Sequence, residues 1–229
     1  LTDASKRHVA NDLLVEHAEM DVLPANIDML QAETELTIAS LVARMHDRPD
    51  LAAGVDALAQ LSINVDPGDV TGSHALGALD ETLDAIEGDY DYIIVDSPPF
   101  YGKLTDTGIF ATRHVIVPAL TEATSERAIE LLIDQIAALE GQVGIQVSTV
   151  GVVANRVEKT NEDQTMLRWL NEVFSDFPVW EVRKRVSLQR AFSAGTSIFE
   201  YENTVDMEDV FLEIAAEMDR QFGYAEVTA

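Results

Sequence analysis

Cysteine is absent from the 229 residues. Disulfides, thiolate metal sites and cysteine nucleophiles are thereby excluded, and the composition fits a reducing cytoplasm. Long apolar runs are absent too. No stretch reaches the roughly 18 consecutive apolar residues of a membrane-crossing helix, and no basic, apolar leader is visible. The sequence reads as a soluble domain. Histidines at ligand spacing are missing: His8, His17, His46, His74 and His114 are scattered, which argues against a metal cluster built on them. Positive charge is scarce. There are 15 Lys plus Arg, four of them lysine, against 41 Asp plus Glu, for a net charge of −26. The hydrophobic fraction is nevertheless 47%, too high for a disordered acidic tail. A folded domain with an acidic shell is implied. Such a shell suits concentrated salt, where like charges are screened over a few ångströms. It predicts a salt-loving host. It also argues against wholesale binding to nucleic acid or to anionic membranes, so any such contact needs a local basic patch.

What is present is an alternation of short apolar runs and amphipathic segments. "MDVLPAN" (20–26) is a short strand candidate ended by Pro24, and Asp28 is placed to cap a helix through "MLQAETELTIASLVARMH", where Leu30, Leu36 and Leu41 recur at helical spacing. Residues 48–73 are rich in Gly, Pro and Asp, with "NVDPGDVTGS" as a loop. A helix follows through "HALGALDETLDAIEG". Then come the apolar run of "YDYIIVDSPP" (90–99), a buried-type strand "HVIVPAL" (114–120) and a helix ended by Gly141. A third strand, "VSTVGVVANRV" (147–157), precedes the helix "NEDQTMLRWLNEVF", an edge strand "PVWEV", a short helix "LQRAFSAG" and a last helix closed by Gly223. Strands alternating with helices imply parallel pairing, and continuous apolar strands imply cover on both faces. The expected fold is α/β: a doubly wound, mostly parallel sheet in one domain spanning 1–229, with an insert at 48–73.

The run at 92–95 ends on Asp96. In an open parallel sheet ligands sit beyond the carboxyl ends of the strands. A carboxylate at such an end calls for a cation, and Mg²⁺ accepts one or two carboxylates while sharing its other positions with phosphates and water. An apolar strand ending in aspartate is the Walker B pattern of P-loop ATPases. The competing reading is a strand end with a solvated aspartate. Pro98 and Pro99 cannot extend a ladder and push Ser97 into an extended conformation, so the chain leaves as a loop. Ser97 has no histidine partner in the pattern, and a serine hydrolase is rejected.

The stretch "YDYIIVDSPPFYGKLTDTGIFATRHVIVPALTEATSERAIELLIDQI" (90–136) resembles the ParA/MinD family of deviant-Walker ATPases, on the side of its chromosome and plasmid partition branch. "DVLPANIDMLQAETEL" (21–36), "GVVANRV" (151–157) and "VRKRVSLQRAFSAGTSIFEY" (182–201) are similar to further family stretches in family order. The resemblance covers residue 20 to the C-terminus apart from 48–73. It implies a P-loop NTPase-like fold that binds ATP across a homodimer, with Mg²⁺ at Asp96, the catalytic and metal-holding residue. Ser97, Pro98 and Pro99 would form the switch loop, and Asn155, Arg156 and Arg183 would lie at the nucleotide. It also implies a cytoplasmic, nucleoid-associated protein with non-specific DNA and a centromere-binding protein as partners and no membrane. Seven of the 15 basic residues fall between 156 and 190. Among them Arg183, Lys184, Arg185 and Arg190 are the candidate DNA contacts, weakened by salt as phosphate contacts are. The alternative is a set of arginines paired with neighbouring acids.

The sequence departs from the family pattern in several places. Arg183 and Lys184 stand where proline then arginine is usual, Arg190 where glutamate is usual, and Lys103 and Asp106 at usually apolar positions. No Gly-rich lysine loop is present, and Gly102 and Gly108 lack the Gly-Lys-Ser/Thr spacing. Together with a first residue that is leucine, this predicts a missing N-terminal segment that carries the phosphate loop, and hence no ATP hydrolysis by these 229 residues alone. A degenerate member that keeps the fold as a non-catalytic binding module is the competing reading. A MinD-like or cargo-positioning ATPase is the other; the end "RQFGYAEVTA" has no basic, apolar membrane-holding extension.

Overall fold

The computed structural model describes residues 1–17, 19–25, 29–46, 48, 50–62, 65, 70, 74–98, 101–201 and 205–224. The chain divides into two compact units, Leu1–Arg113 and His114–Ala229.

The first unit is mainly helical among its described residues. A 3-10 turn, Ala4–Val9, runs into α1 (Ala10–Leu13), and β1 (Val15–Glu16) and β2 (Asp21–Val22) form a two-stranded antiparallel hairpin. α2 (Met29–His46), α3 (Val55–Ala59), α4 (His74–Leu83) and α5 (Lys103–Thr112) follow. The core gathers Leu36, Ala39, Val42 and Ala43 of α2, Val55 and Ala59 of α3, and Ala75 and Ala78 of α4. Leu36, Ala39 and Ala43 recur at the three-and-four spacing of one helical stripe. Leu41, expected on that stripe, is exposed, because it falls on the opposite face of α2. The expected cap Asp28, the side chain of Leu30 and most of the loop at 64–73 lie outside the described residues. Val65 and Val70, within the expected insert, are buried in this core.

The second unit carries the parallel sheet. β3 (His114–Leu120), β4 (Ser148–Val157) and β5 (Val179–Arg183) stand in the order β3-β4-β5, both pairs parallel. β5 is an edge, as expected. α6 (Ala123–Val143), α7 (Asn161–Val173), α8 (Val186–Ala194) and α9 (Glu208–Phe222) complete the unit. α6 runs past Gly141 and stops at Gly144, whose φ of 70° supplies the left-handed cap. Gly141 is simply carried within the helix, since a single glycine costs it only about 1 kcal/mol. One side of the sheet packs Val117, Val152, Ala154, Met166 and Leu170 together; Val150 and Trp180 meet Ile214 of α9 in a separate cluster. β4, the middle strand, is largely buried. β3 is not covered on both faces: its exposure alternates, with Ile116 and Leu120 outside. At Gly151 of β4 an added Cβ would lie 2.3 Å from the Trp180 ring, so glycine there makes room for the indole on β5.

The expected strand at 92–95 is not formed. Residues 92–98 carry no strand pairing, and Ile93 and Ile94 are 49% and 81% exposed. A strand takes its hydrogen bonds from neighbours, not from its own residues. Among the described residues of the first unit, the only strands are those of the short hairpin, and these pair with each other.

Candidate functional site

Parallel strands place all their carboxyl ends at one rim, which is where open α/β sheets bind ligands. In the second unit that rim is built from Leu120, Asn155 and Val182, which stand in register across β3, β4 and β5. Asn155 and Arg156 follow directly on the buried core of β4, and both are exposed. The register slips between Asn155 and Val157, leaving Arg156 as the extra residue, with φ of 58°. A non-glycine residue in the left-handed region is uncommon. The Asn155 Oδ1 accepts the Arg156 backbone N–H at 2.8 Å and so holds this bend. The bend carries Arg156 out of the ladder, beside the end of β5.

Arg183 is the last residue of β5 and is exposed; its backbone N–H donates to the Met207 sulfur at 3.1 Å. Lys184 continues the ladder, donating its N–H to the Val157 carbonyl at 3.1 Å. Its ammonium pairs with Glu158 at 2.7 Å. The Arg185 Nε meets both oxygens of Asp206, at 2.9 and 2.7 Å. Arg190 lies exposed on α8. The rim therefore brings Asn155, Arg156, Arg183, Lys184 and Arg185 together, but two of these cations already hold a carboxylate. Arg156 and Arg183 make no ion pair among the described residues.

One rim element went unread in the sequence. Asp163, in the first turn of α7, is buried, and its carboxylate accepts from the Thr121 hydroxyl just after β3, from the Thr160 hydroxyl at 2.6 Å and from the Thr160 N–H at 2.9 Å. The Thr160 hydroxyl in turn accepts the Asp163 N–H, closing a capping box. The Thr121 hydroxyl, then the Thr160 hydroxyl, stabilise the anion and lower the Asp163 pKa to about 2. The signal was visible as T-x-x-D ahead of an amphipathic run. Its tie to Thr121, 42 residues away, was not.

Asp96 and Ser97 are exposed and Pro98 is half-buried, all in the first unit on the unpaired segment; Pro99 lies outside the described residues. Asp96 makes no hydrogen bond or ion pair among the described residues. Asp96 therefore does not end a paired strand, as the Walker B reading expected; it is an exposed carboxylate on an unpaired segment. No group of three or more His, Asp or Glu able to hold a metal by itself occurs among the described residues. Lys103 and Asp106, the departures on α5, pair with each other at 3.4 Å.

A family model described as an AAA domain matches residues 4–149. Among curated proteins the chain is similar to the sporulation initiation inhibitor protein Soj of Bacillus subtilis, 26% identical over 143 residues, which are 61% of this chain and 56% of that protein. It is also similar to the chromosome-partitioning ATPase Soj of Treponema pallidum, 25% identical over 127 residues, 54% of this chain and 50% of that protein. The chain spans about half the length of these relatives. Among solved structures, a McdA variant from Cyanothece in complex with ATP superposes with a TM-score of 0.69 at 14% identity, covering 94% of this chain and 75% of that one. Cobyrinic acid a,c-diamide synthase from Mycobacterium smegmatis, with a bound ATP analogue and magnesium, gives 0.61 at 19%, covering 99% and 77%. At such identities the likeness is one of fold: a parallel sheet with flanking helices.

Proposed function

The chain belongs to the AAA domain family, and from that premise we propose that it is a ParA-type ATPase that partitions or positions DNA. One observation carries the reading. The carboxyl rim of the sheet presents Asn155 with two cations, Arg156 and Arg183, that make no ion pair among the described residues. Such a set suits a purine edge and a polyphosphate. Asn155 offers the amide, with its Oδ1 engaged by the backbone of Arg156. Arg156 and Arg183 offer planar, charged donor forks of the kind that match phosphate oxygens. Asp96 would hold Mg²⁺, which when bound neutralises charge on the phosphates. Ser97, Pro98 and Pro99 would form the loop that follows that charge. Hydrolysis of this kind is positioning and charge neutralisation.

The partition role rests on the Treponema relative, whose name states it. ATP-dependent dimerisation, non-specific DNA binding and a centromere-binding protein as stimulating partner are the further parts of the proposal. Lys184 and Arg185 would reach DNA only by exchanging Glu158 and Asp206 for phosphates. Such binding weakens steeply with salt.

The test uses the protein as its gene encodes it. A fluorescent ATP analogue with Mg²⁺ binds the native protein; Asp96→Ala raises the Mg²⁺ needed for half-maximal binding, and Arg156→Ala weakens nucleotide binding at saturating Mg²⁺. DNA retention depends on ATP. Nucleotide binding indifferent to both substitutions overturns the reading. The encoded sequence upstream of Leu1 is a second check: a Gly-Lys-Thr loop there supports hydrolysis, and a stop codon immediately before it favours a non-catalytic module.

A further inference from the structure

We infer that Glu33 is a positioning residue for the Asp96 loop, acting as a carboxylate clamp on the start of α5. The inference rests on the reading of Asp96 given above. α5 has no side-chain cap of its own, because its N-cap is Gly102. Its first two free N–H groups point instead at Glu33 of α2. Lys103 N–H donates to Oε1 at 2.6 Å and Leu104 N–H to Oε2 at 2.8 Å. Both carboxylate oxygens are thus engaged by consecutive amides, 70 and 71 residues away in sequence. Charge-assisted bonds of this kind are among the strong ones, and the positive end of a helix adds to them.

Gly102 makes the clamp possible. Its φ of −161° is open to any residue, so backbone freedom is not the reason for glycine. Space is. An added Cβ would lie 2.5 Å from Oε1, 2.8 Å from Cδ and 2.9 Å from Oε2 of Glu33. The carboxylate fills the volume a side chain would take.

The consequence reaches Asp96 because α5 is tied to the same segment from its other side. Val95, the residue before Asp96, lies beside Gly108 in the middle of α5, with its Cγ1 3.6 Å from where a Cβ would be. Val95 thus rests on the middle of α5 while Glu33 holds its start. Without Glu33 the start of α5 loses both acceptors, and the helix against which Val95 rests loses its anchor.

Three measurements on the full-length protein test this. Amide hydrogen exchange should rise at Lys103 and Leu104 in Glu33→Gln and Glu33→Ala, with α2 itself unchanged. In thermal melts Gly102→Ala should destabilise the native protein, whereas in the Glu33→Ala background it should cost little, since the clash partner is gone. In nucleotide titrations Glu33→Gln should raise the Mg²⁺ needed for half-maximal binding, with nucleotide affinity at saturating Mg²⁺ nearly unchanged. Unchanged exchange at Lys103 and Leu104 overturns the clamp, and so does a Gly102→Ala cost that is equal in both backgrounds. A Mg²⁺ requirement that does not move while exchange does rise overturns the positioning role. A native protein that binds no Mg–nucleotide overturns the ATPase reading and with it the positioning role, while exchange and melts still decide whether the clamp exists.

Discussion

Two stretches of this chain look alike in sequence and differ in structure. "YIIV" at 92–95 and "VIV" at 115–117 are both short, β-branched and continuous. The second is the heart of β3, paired with β4 and buried at Val117. The first is unpaired, with Ile94 81% exposed. The composition is the same kind; the neighbours are not. Apolar β-branched residues fit a half-buried pleated surface, but only another strand can supply the ladder. The second unit contains its partners, from β3 to β5. The described part of the first unit contains helices that complete their own hydrogen bonds and so stand without such help.

Core truncations should break this comparison most strongly. Leu170 in the second unit and Leu36 in the first are almost fully buried. Leu170→Ala and Leu36→Ala are each expected to cost about 2–5 kcal/mol, the transfer loss plus the cavity. Ile94→Ala should stay within about 0.5 kcal/mol. Urea unfolding followed by circular dichroism checks all three, and tryptophan emission checks the second unit alone, since Trp169 and Trp180 both lie there. An Ile94→Ala cost as large as that of Leu170→Ala would mean that residues 92–95 are paired in solution.

Next in size is Gly151→Ala. The new methyl would meet the Trp180 ring at 2.3 Å and the Pro178 ring at 3.0 Å. Overpacking of this sort costs about 1–3 kcal/mol. The emission of Trp180 should shift with it, and Trp180→Leu in the same chain should reduce the cost. Gly108→Ala in α5 is the counterpart in the first unit. There the contact, 3.6 Å to Val95, is ordinary, so the change should be mild.

These pairs also show what could be read from sequence. Helices were legible because their pattern is local: α2 and β3 have the very bounds that periodicity and apolar runs imply, and α9 closes at Gly223 with φ of 81°. The α/β alternation gave parallel pairing in the second unit. The apolar run at 92–95 misled because strand pairing is a property of two segments. At the rim, Asn155, Arg156 and Arg183 were legible as residues at strand ends. That the cations there pair with acids was one of the two readings, and it holds for Lys184 and Arg185; the partners Glu158 and Asp206 were not legible, because each pair joins elements more than 20 residues apart. The Glu33 contact with α5 was hidden for the same reason.

The acid limb carries a contribution from Asp163, as it does from Asp3, whose pKa Lys6 and then Ser5 also lower to about 2. The folded pKa of Asp163 lies near 2, below its ordinary value of 3.8, through the Thr121 and Thr160 hydroxyls. A depressed folded pKa means stability that is complete above the ordinary value and is lost as pH falls from about 4 towards 2. Asp163→Asn should therefore flatten this part of the acid limb and cost roughly 1 kcal/mol at neutral pH, since one acceptor becomes a donor facing a hydroxyl. An acid limb unchanged by Asp163→Asn would show that the junction of β3 and α7 is held without the carboxylate.

The smallest effect belongs to the surface cations, and its sign with salt is what sharpens the comparison. Lys184 and Glu158 pair at 2.7 Å, but both are about half exposed. Lys184→Ala should change stability by less than about 1 kcal/mol at low salt and by almost nothing in molar KCl, where screening acts over about 3 Å. The molecule as a whole should respond the opposite way. A net charge of −26 repels itself, so the melting temperature should rise as KCl rises. The backbone of Lys184 also continues the ladder to Val157, and that contact survives the substitution. A rim cation that contributes little to the fold is free to exchange its carboxylate for a phosphate. A Lys184→Ala loss well above 1 kcal/mol in high salt would instead make the pair part of the fold and leave Arg156 and Arg183 as the rim's available charge.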